Sequence, residues 1–186
     1  MQQKRFGGSA GRFADRGWRE PEDPSSGSPD LWEHIIVVDC ENRNDLIDRI
    51  AHPQRTVLRC ERPHNNYGHT CPHNAHSAAQ GDCLYYLDDD NYLSGDRVLE
   101  DLAQVTGPWA IFPILRHGRR FFSNPPGRCL TDAGNMMVKR ELGPWPNLPD
   151  YDADGIFAVQ LLSQHPCQAL PKMRPLMVMP ASNLGK

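Results

Sequence analysis

Two apolar runs, each closed by carboxylates, constrain this chain more than any other feature. "HIIVVD" ends on Asp39, and "CLYYLDDD" ends on Asp88, Asp89 and Asp90. A run that is apolar at every position suits a strand covered on both faces, as in a parallel sheet flanked by helices. "QRTVLRCE" reads as a further short strand, and "WAIFPILR" as another. The segments between them have helical spacing. "NRNDLIDRIAH" places Leu46, Ile47 and Ile50 on one side, and "CPHNAHSAAQG" has an Ala-rich centre and a Gly stop. "SGDRVLEDLAQVTG" gathers Val98, Leu99, Leu102 and Val105, and "YDADGIFAVQLLSQHP" ends before Pro166. Strands alternating with helices predict an α/β layered domain.

Composition narrows the function. At 186 residues the chain holds one domain with a real core. A formal net charge of −3 lacks the basic excess of a nucleic-acid binder, so no nucleic-acid partner is expected. "IIVV" and "WAIFPIL" are too short to cross a bilayer, so no transmembrane segment is expected. "MQQKRFGGSAGRF" is basic without an apolar core, unlike a secretory signal. The six cysteines form no CxxC pair, which fits reduced thiols and a cytoplasmic location. Residues 1–30 are rich in Gly, Ser, Pro and charge and read as disordered or linker-like, leaving 31–186 as the domain.

In open α/β sheets, ligands bind beyond the carboxyl ends of the strands, where Asp39 and Asp88–Asp90 are expected. Successive residues of an extended segment point to opposite sides, so Asp88 and Asp90 can converge while Asp89 turns away. Two carboxylates in that relation suit a hard octahedral cation, Mg²⁺ or Mn²⁺, completed by water and substrate phosphates. A bare acidic triplet is more often a solvated turn. The apolar strand directly ahead of this one favours the cation.

At this point the chain resembles a family-2-type glycosyltransferase with the GT-A fold. The residues that carry the likeness are "WEHIIVVD" and "NNYGHTCPHNAHSAAQGDCLYYLDDDNYLSGDRVLEDL", followed by "DAGNMMVKREL" and "YDADGIFAVQLL". The matching positions are Asp39, Asn74, Gly81–Asp82, the DXD pair Asp88 and Asp90, and Gly95–Asp96. The resemblance implies a mostly parallel GT-A-like sheet with flanking helices. It also implies transfer of a sugar from a UDP- or GDP-sugar to an unknown acceptor, with Mn²⁺ or Mg²⁺ on Asp88 and Asp90. Asp39, Asn74 and Asp88 would contact the donor nucleotide. Asp154 would be the base, with Asp152 second, although either could simply cap the helix that follows. Asn135 and Trp145 would lie on the acceptor side, Trp145 as a sugar-stacking platform or else in a structural loop.

The likeness is incomplete. Family members open with an apolar strand and a helix, and residues 1–30 contain no strand of that type. The sheet is therefore expected to be incomplete at the N-terminus. The strand at 35–38 should then pair directly with 84–87 or leave an open edge for self-association, and activity should be impaired. Cys40 stands where a second acidic residue is common. Two other readings are carried: a catalytically inactive GT-A-like binding or fragment domain, and a haloacid-dehalogenase-like phosphatase with Asp88 as nucleophile. The phosphatase ranks last because Tyr92 stands where a Thr or Ser is needed. His64, His69, Cys71, His73 and His76 invite a zinc reading, but their spacing matches no closed zinc pattern.

Overall fold

The computed structural model describes residues 2–6 (as backbone), 32–38, 55–60, 68–88 and 91–180. Its first elements are strands β1 (Gln2–Phe6), β2 (His34–Val38) and β3 (Arg55–Arg59), then helix α1 (Thr70–Ala78) and strand β4 (Cys83–Leu87). Next come β5 (Tyr92–Leu93), α2 (Val98–Ala103), β6 (Trp109–Ile111), β7 (Ile114–Arg116) and β8 (Arg119–Phe121). A 3-10 turn at Ala133–Asn135 leads into β9 (Met136–Lys139). Helix α3 (Ala153–Gln164) and strands β10 (Cys167–Ala169) and β11 (Met177–Met179) follow. The helix expected around Leu46–Ile50 lies outside the described residues.

Seven strands form the main sheet in the order β10-β6-β9-β4-β1-β2-β3. β1 runs parallel to both β2 and β4, with Lys4 opposite Ile36 on one side and Leu87 on the other. This corrects the expectation of an incomplete sheet. The central place is filled by Gln2–Phe6, inside the stretch read as linker, and β2 does not pair directly with β4. The central gap was the ground for self-association, and it is closed. "QQKRF" carries no apolar signature of a strand, since four of its five residues are polar. Here main-chain pairing on both sides defines the strand, where the sequence offered no apolar run to read.

β4 is buried on both faces, as its apolar run predicts. Leu84 and Tyr86 pack with Trp109, Ile111, Trp145 and Phe157, while Tyr85 packs with Val98, Leu102, Phe112 and Met137. "WAIFPILR" is two strands rather than one. Pro113 lacks an N–H for a ladder, and the chain leaves the main sheet there. β7 joins a second, four-stranded sheet of order β5-β11-β7-β8. β9, expected only as an acceptor-side segment, is a buried strand antiparallel to both β4 and β6. The second sheet and the turn before β9 therefore both lie near the carboxyl end of β4, where Asp88 emerges.

Candidate active site

Asp88 follows β4 directly, and its backbone carbonyl accepts the Asn91 N–H at 3.2 Å. Beside it, the turn Ala133–Asn135 is held by a reciprocal cap. The Asp132 carboxylate accepts the Gly134 N–H at 2.9 Å, and Asn135 Oδ1 accepts the Asp132 N–H at 2.9 Å. Tyr85 of β4 donates its hydroxyl to the Gly134 carbonyl at 2.8 Å, which ties the turn to the strand that presents Asp88. Gly134 leaves room for a side chain only if Met177 moves. A Cβ at that position would lie 1.9 Å from Met177 Sδ. Burial holds the Tyr85 phenol well above its ordinary range, and the negative charges of Asp132 and Asp88 add to the effect. Tyr85 thus reports two carboxylates acting on one spot from two different elements.

The third carboxylate comes from α3. Asp154 sits in the first turn of that helix, and Asp152 occupies the cap position. Burial first, and then the charge of Asp132, push the Asp154 carboxyl up to about 7. The Gly155 N–H, 2.8 Å from Asp154 Oδ1, partly offsets this rise, and Asp152 adds to it. A carboxylate poised near neutrality is suited to taking a proton from a hydroxyl. Asp154 is not at the cap position itself, which Asp152 occupies without a side-chain cap hydrogen bond.

Asp152, the alternative base, is already engaged. It is 6% exposed, accepts Arg128 Nε at 2.9 Å on one oxygen and accepts the Cys129 N–H at 2.6 Å on the other. Its role is to fasten the loop at Arg128–Cys129 to the start of α3. Gly155 allows that closeness, since a Cβ there would lie 2.3 Å from Asp152 Oδ1 and 2.8 Å from Arg128 Cα.

The remaining expected residues divide clearly. Asp39 and Asp90 lie outside the described residues. Asn74 projects from α1 toward the carboxyl end of β3, with Nδ2 3.7 Å from Cys60 Sγ. Trp145 is 1% exposed and packs against Tyr86 and Phe157, so the structure places it in the core and not on an acceptor surface. Asn135 is 0% exposed and serves the turn, not the solvent. The histidines are spent on structure. His73 Nδ1 bonds the Trp145 carbonyl at 2.7 Å, His76 Nε2 bonds the Arg140 carbonyl at 3.0 Å, and His69 accepts the Trp145 indole N–H at 3.3 Å. His64 lies outside the described residues. Asp132 was not singled out from the sequence, although its spacing to Asn135 is that of a capping box.

Among the described residues, no three His, Cys, Asp or Glu side chains come together as a ready metal site. The surroundings of Asp88 nonetheless fit a hard cation bound mainly through substrate and water. The nearby charges are carboxylates. Asn91, just past the acidic run, is 1% exposed with neither Oδ1 nor Nδ2 bonded. Such a buried amide is costly unless another polar group meets it.

Strand order, the acidic end of β4 and the capping second sheet define a mixed α/β domain with a GT-A-like fold. Comparison of structures finds this fold in S. aureus TarS. Its residues 1–349 match with a TM-score of 0.65 at 11% identity, covering 83% of this chain and 52% of that one. The same protein solved with UDP-GlcNAc matches with a TM-score of 0.63 at 15% identity, covering 82% and 50%. Its UDP complex gives 0.61 at 13%, covering 78% and 50%. The chain thus spans about half the length of these structures. No family model and no curated protein matches the sequence. Among the described residues no helix is long and apolar enough to cross a membrane.

Proposed function

We propose that this chain is a glycosyltransferase that moves a sugar from a nucleotide-sugar donor to an acceptor hydroxyl, with Asp154 as the base. The observation that carries the reading is the placement of Asp154. Its carboxyl is raised to about 7 by burial and by Asp132, whose turn is tied by Tyr85 to the strand that presents Asp88. The fold shared with a protein solved with UDP and UDP-GlcNAc supports a UDP-sugar as the first donor to try.

In this reading each group has one task. Asp88, with Asp90, would hold Mn²⁺ or Mg²⁺, and the ion would neutralise charge on the departing diphosphate. By the resemblance, Asn74 and Asp39 would contact the nucleotide. Deprotonated Asp154 accepts the acceptor's hydroxyl proton as oxygen attacks the anomeric carbon and the bond to the diphosphate breaks. Asp132 holds the turn beside the base and keeps its affinity for protons high. Asp152 and Arg128 keep the start of α3 in place.

The test is incubation with a panel of UDP- and GDP-sugars and Mn²⁺, reading release of free nucleoside diphosphate. Slow hydrolysis is expected without acceptor, and Asp88→Asn should abolish it. Release of inorganic phosphate from phosphomonoesters, lost in Asp88→Asn and without nucleotide-sugar turnover, would replace this reading with the phosphatase.

A further inference from the structure

A cavity of about 530 Å³ lies at the amino end of β4, among side chains that pack around Tyr85. Its size is that of a small-molecule site. Leu99 and Leu102 of α2, Val105 just past that helix and Met137 of β9 give it an apolar wall. Cys83, the first residue of β4, also lines it. Asp88 follows the far end of the same strand, about 16 Å away. The cavity is therefore separate from the acidic strand end.

The polar part of its lining is acidic and held in place. Glu33 Oε1 accepts the Gln80 N–H and the Gly81 N–H, each at 2.7 Å. Arg140 Nε donates to the Gly81 carbonyl at 3.0 Å, and the Arg140 backbone N–H donates to the Asp82 carbonyl at 2.8 Å. Glu33 and exposed Asp82 both line the cavity, as does the indole of Trp32. Among the described residues no Lys, Arg or His lines it, and no ion pair uses Glu33 or Asp82. Lys139, opposite Cys83 in the ladder, is not part of the lining.

We propose that this cavity binds a small organic cation, an ammonium group carried on an apolar body. Glu33, Asp82 and the Trp32 indole receive the head, since carboxylates pair with an ammonium and an indole attracts a cation over its face. The apolar wall takes the body. An anion would meet two like charges here, and a purely apolar molecule would strip water from two carboxylates without offering a partner. Only a ligand with both parts answers both halves of the lining. The proposal stands apart from the glycosyl-transfer reading, because none of these residues has a task in that reaction.

The probe is dansylcadaverine, a primary ammonium on a fluorescent naphthalene body, titrated with the full chain. Its emission should rise and saturate as the body leaves water. The N-acetylated probe, which carries no charge, should bind about tenfold more weakly. Glu33→Gln with Asp82→Asn keeps the shape of the rim and should erase that preference. Asp82→Asn alone, at an exposed position, should give a smaller loss for the charged probe. Ala103→Trp fills the cavity from an exposed position and should abolish binding of both probes, with a melting temperature close to wild type. Where that variant melts early, Ala103→Leu takes its place. Bound dansylcadaverine should also slow iodoacetamide alkylation of Cys83 and leave that of exposed Cys129 unchanged. Equal binding of the charged and neutral probes by wild type would overturn the proposal, as would alkylation of Cys83 at the same rate with the probe bound. Displacement by UDP with Mn²⁺ would put the probe at the donor site and overturn it too.

Discussion

Asp154 is the residue on which both the proposed chemistry and the pH response turn. Its carboxyl carries a proton in the folded state up to about pH 7, whereas an unfolded carboxyl loses it near the ordinary value of 3.8. Between these limits the native state binds more protons than the unfolded state, so stability falls as pH rises. A series of melting curves from about pH 4 to about pH 8 should show this decline. Asp154→Asn should flatten it, because an amide does not titrate. The same substitution should lower kcat for transfer by about a hundredfold or more, with KM for the donor little changed. In the wild type, kcat should rise as pH passes through about 7, since the base works deprotonated. Gly155→Ala makes a separate demand. The new methyl must push Asp152 or the Arg128 backbone aside, a cost of about 1–3 kcal/mol by overpacking, to be read from denaturant unfolding.

At the level of elements, the apolar pattern made β2, β3, β4 and α3 legible, because burial on both faces or along one stripe is written in residue type. The place of Asp88, directly after a buried strand, was legible for the same reason. β1 was not, since "QQKRF" has none of that pattern and is a strand by virtue of its two neighbours. Lys4→Pro should show its weight. Proline removes the N–H and cannot join a ladder in mid-sheet, so the melting temperature should drop sharply. Trp145 was misread in the opposite sense. An aromatic in a Pro-rich stretch suggested a sugar platform, but the loop folds inward and the indole seats between α1, β4 and α3. Trp145→Ala should therefore cost about 3–5 kcal/mol in equilibrium unfolding. An acceptor platform would instead raise acceptor KM and leave stability nearly untouched. Asp132 stayed hidden because its partner Asp154 lies 22 residues away in the chain, and only the folded turn brings their charges together.

For the whole molecule, the two sheets meet at the acidic end of β4, and that meeting can be probed with metal. Mn²⁺ together with UDP should raise the melting temperature by mass action, and Asp88→Asn should remove the gain. A shift of equal size in that variant would take the cation away from Asp88. The contact between the sheets also sets how the proposed site could be retuned. Gly134 is already the smallest residue, so its side of the gap cannot shrink. Met177 faces it from β11 with a flexible thioether, a side chain that adapts to irregular space. Position 177 thus acts as a spacer between the second sheet and the turn bearing Asp132. A small panel there, from Ala to Leu to Phe, would vary the distance from that sheet to the turn without altering a single charged group.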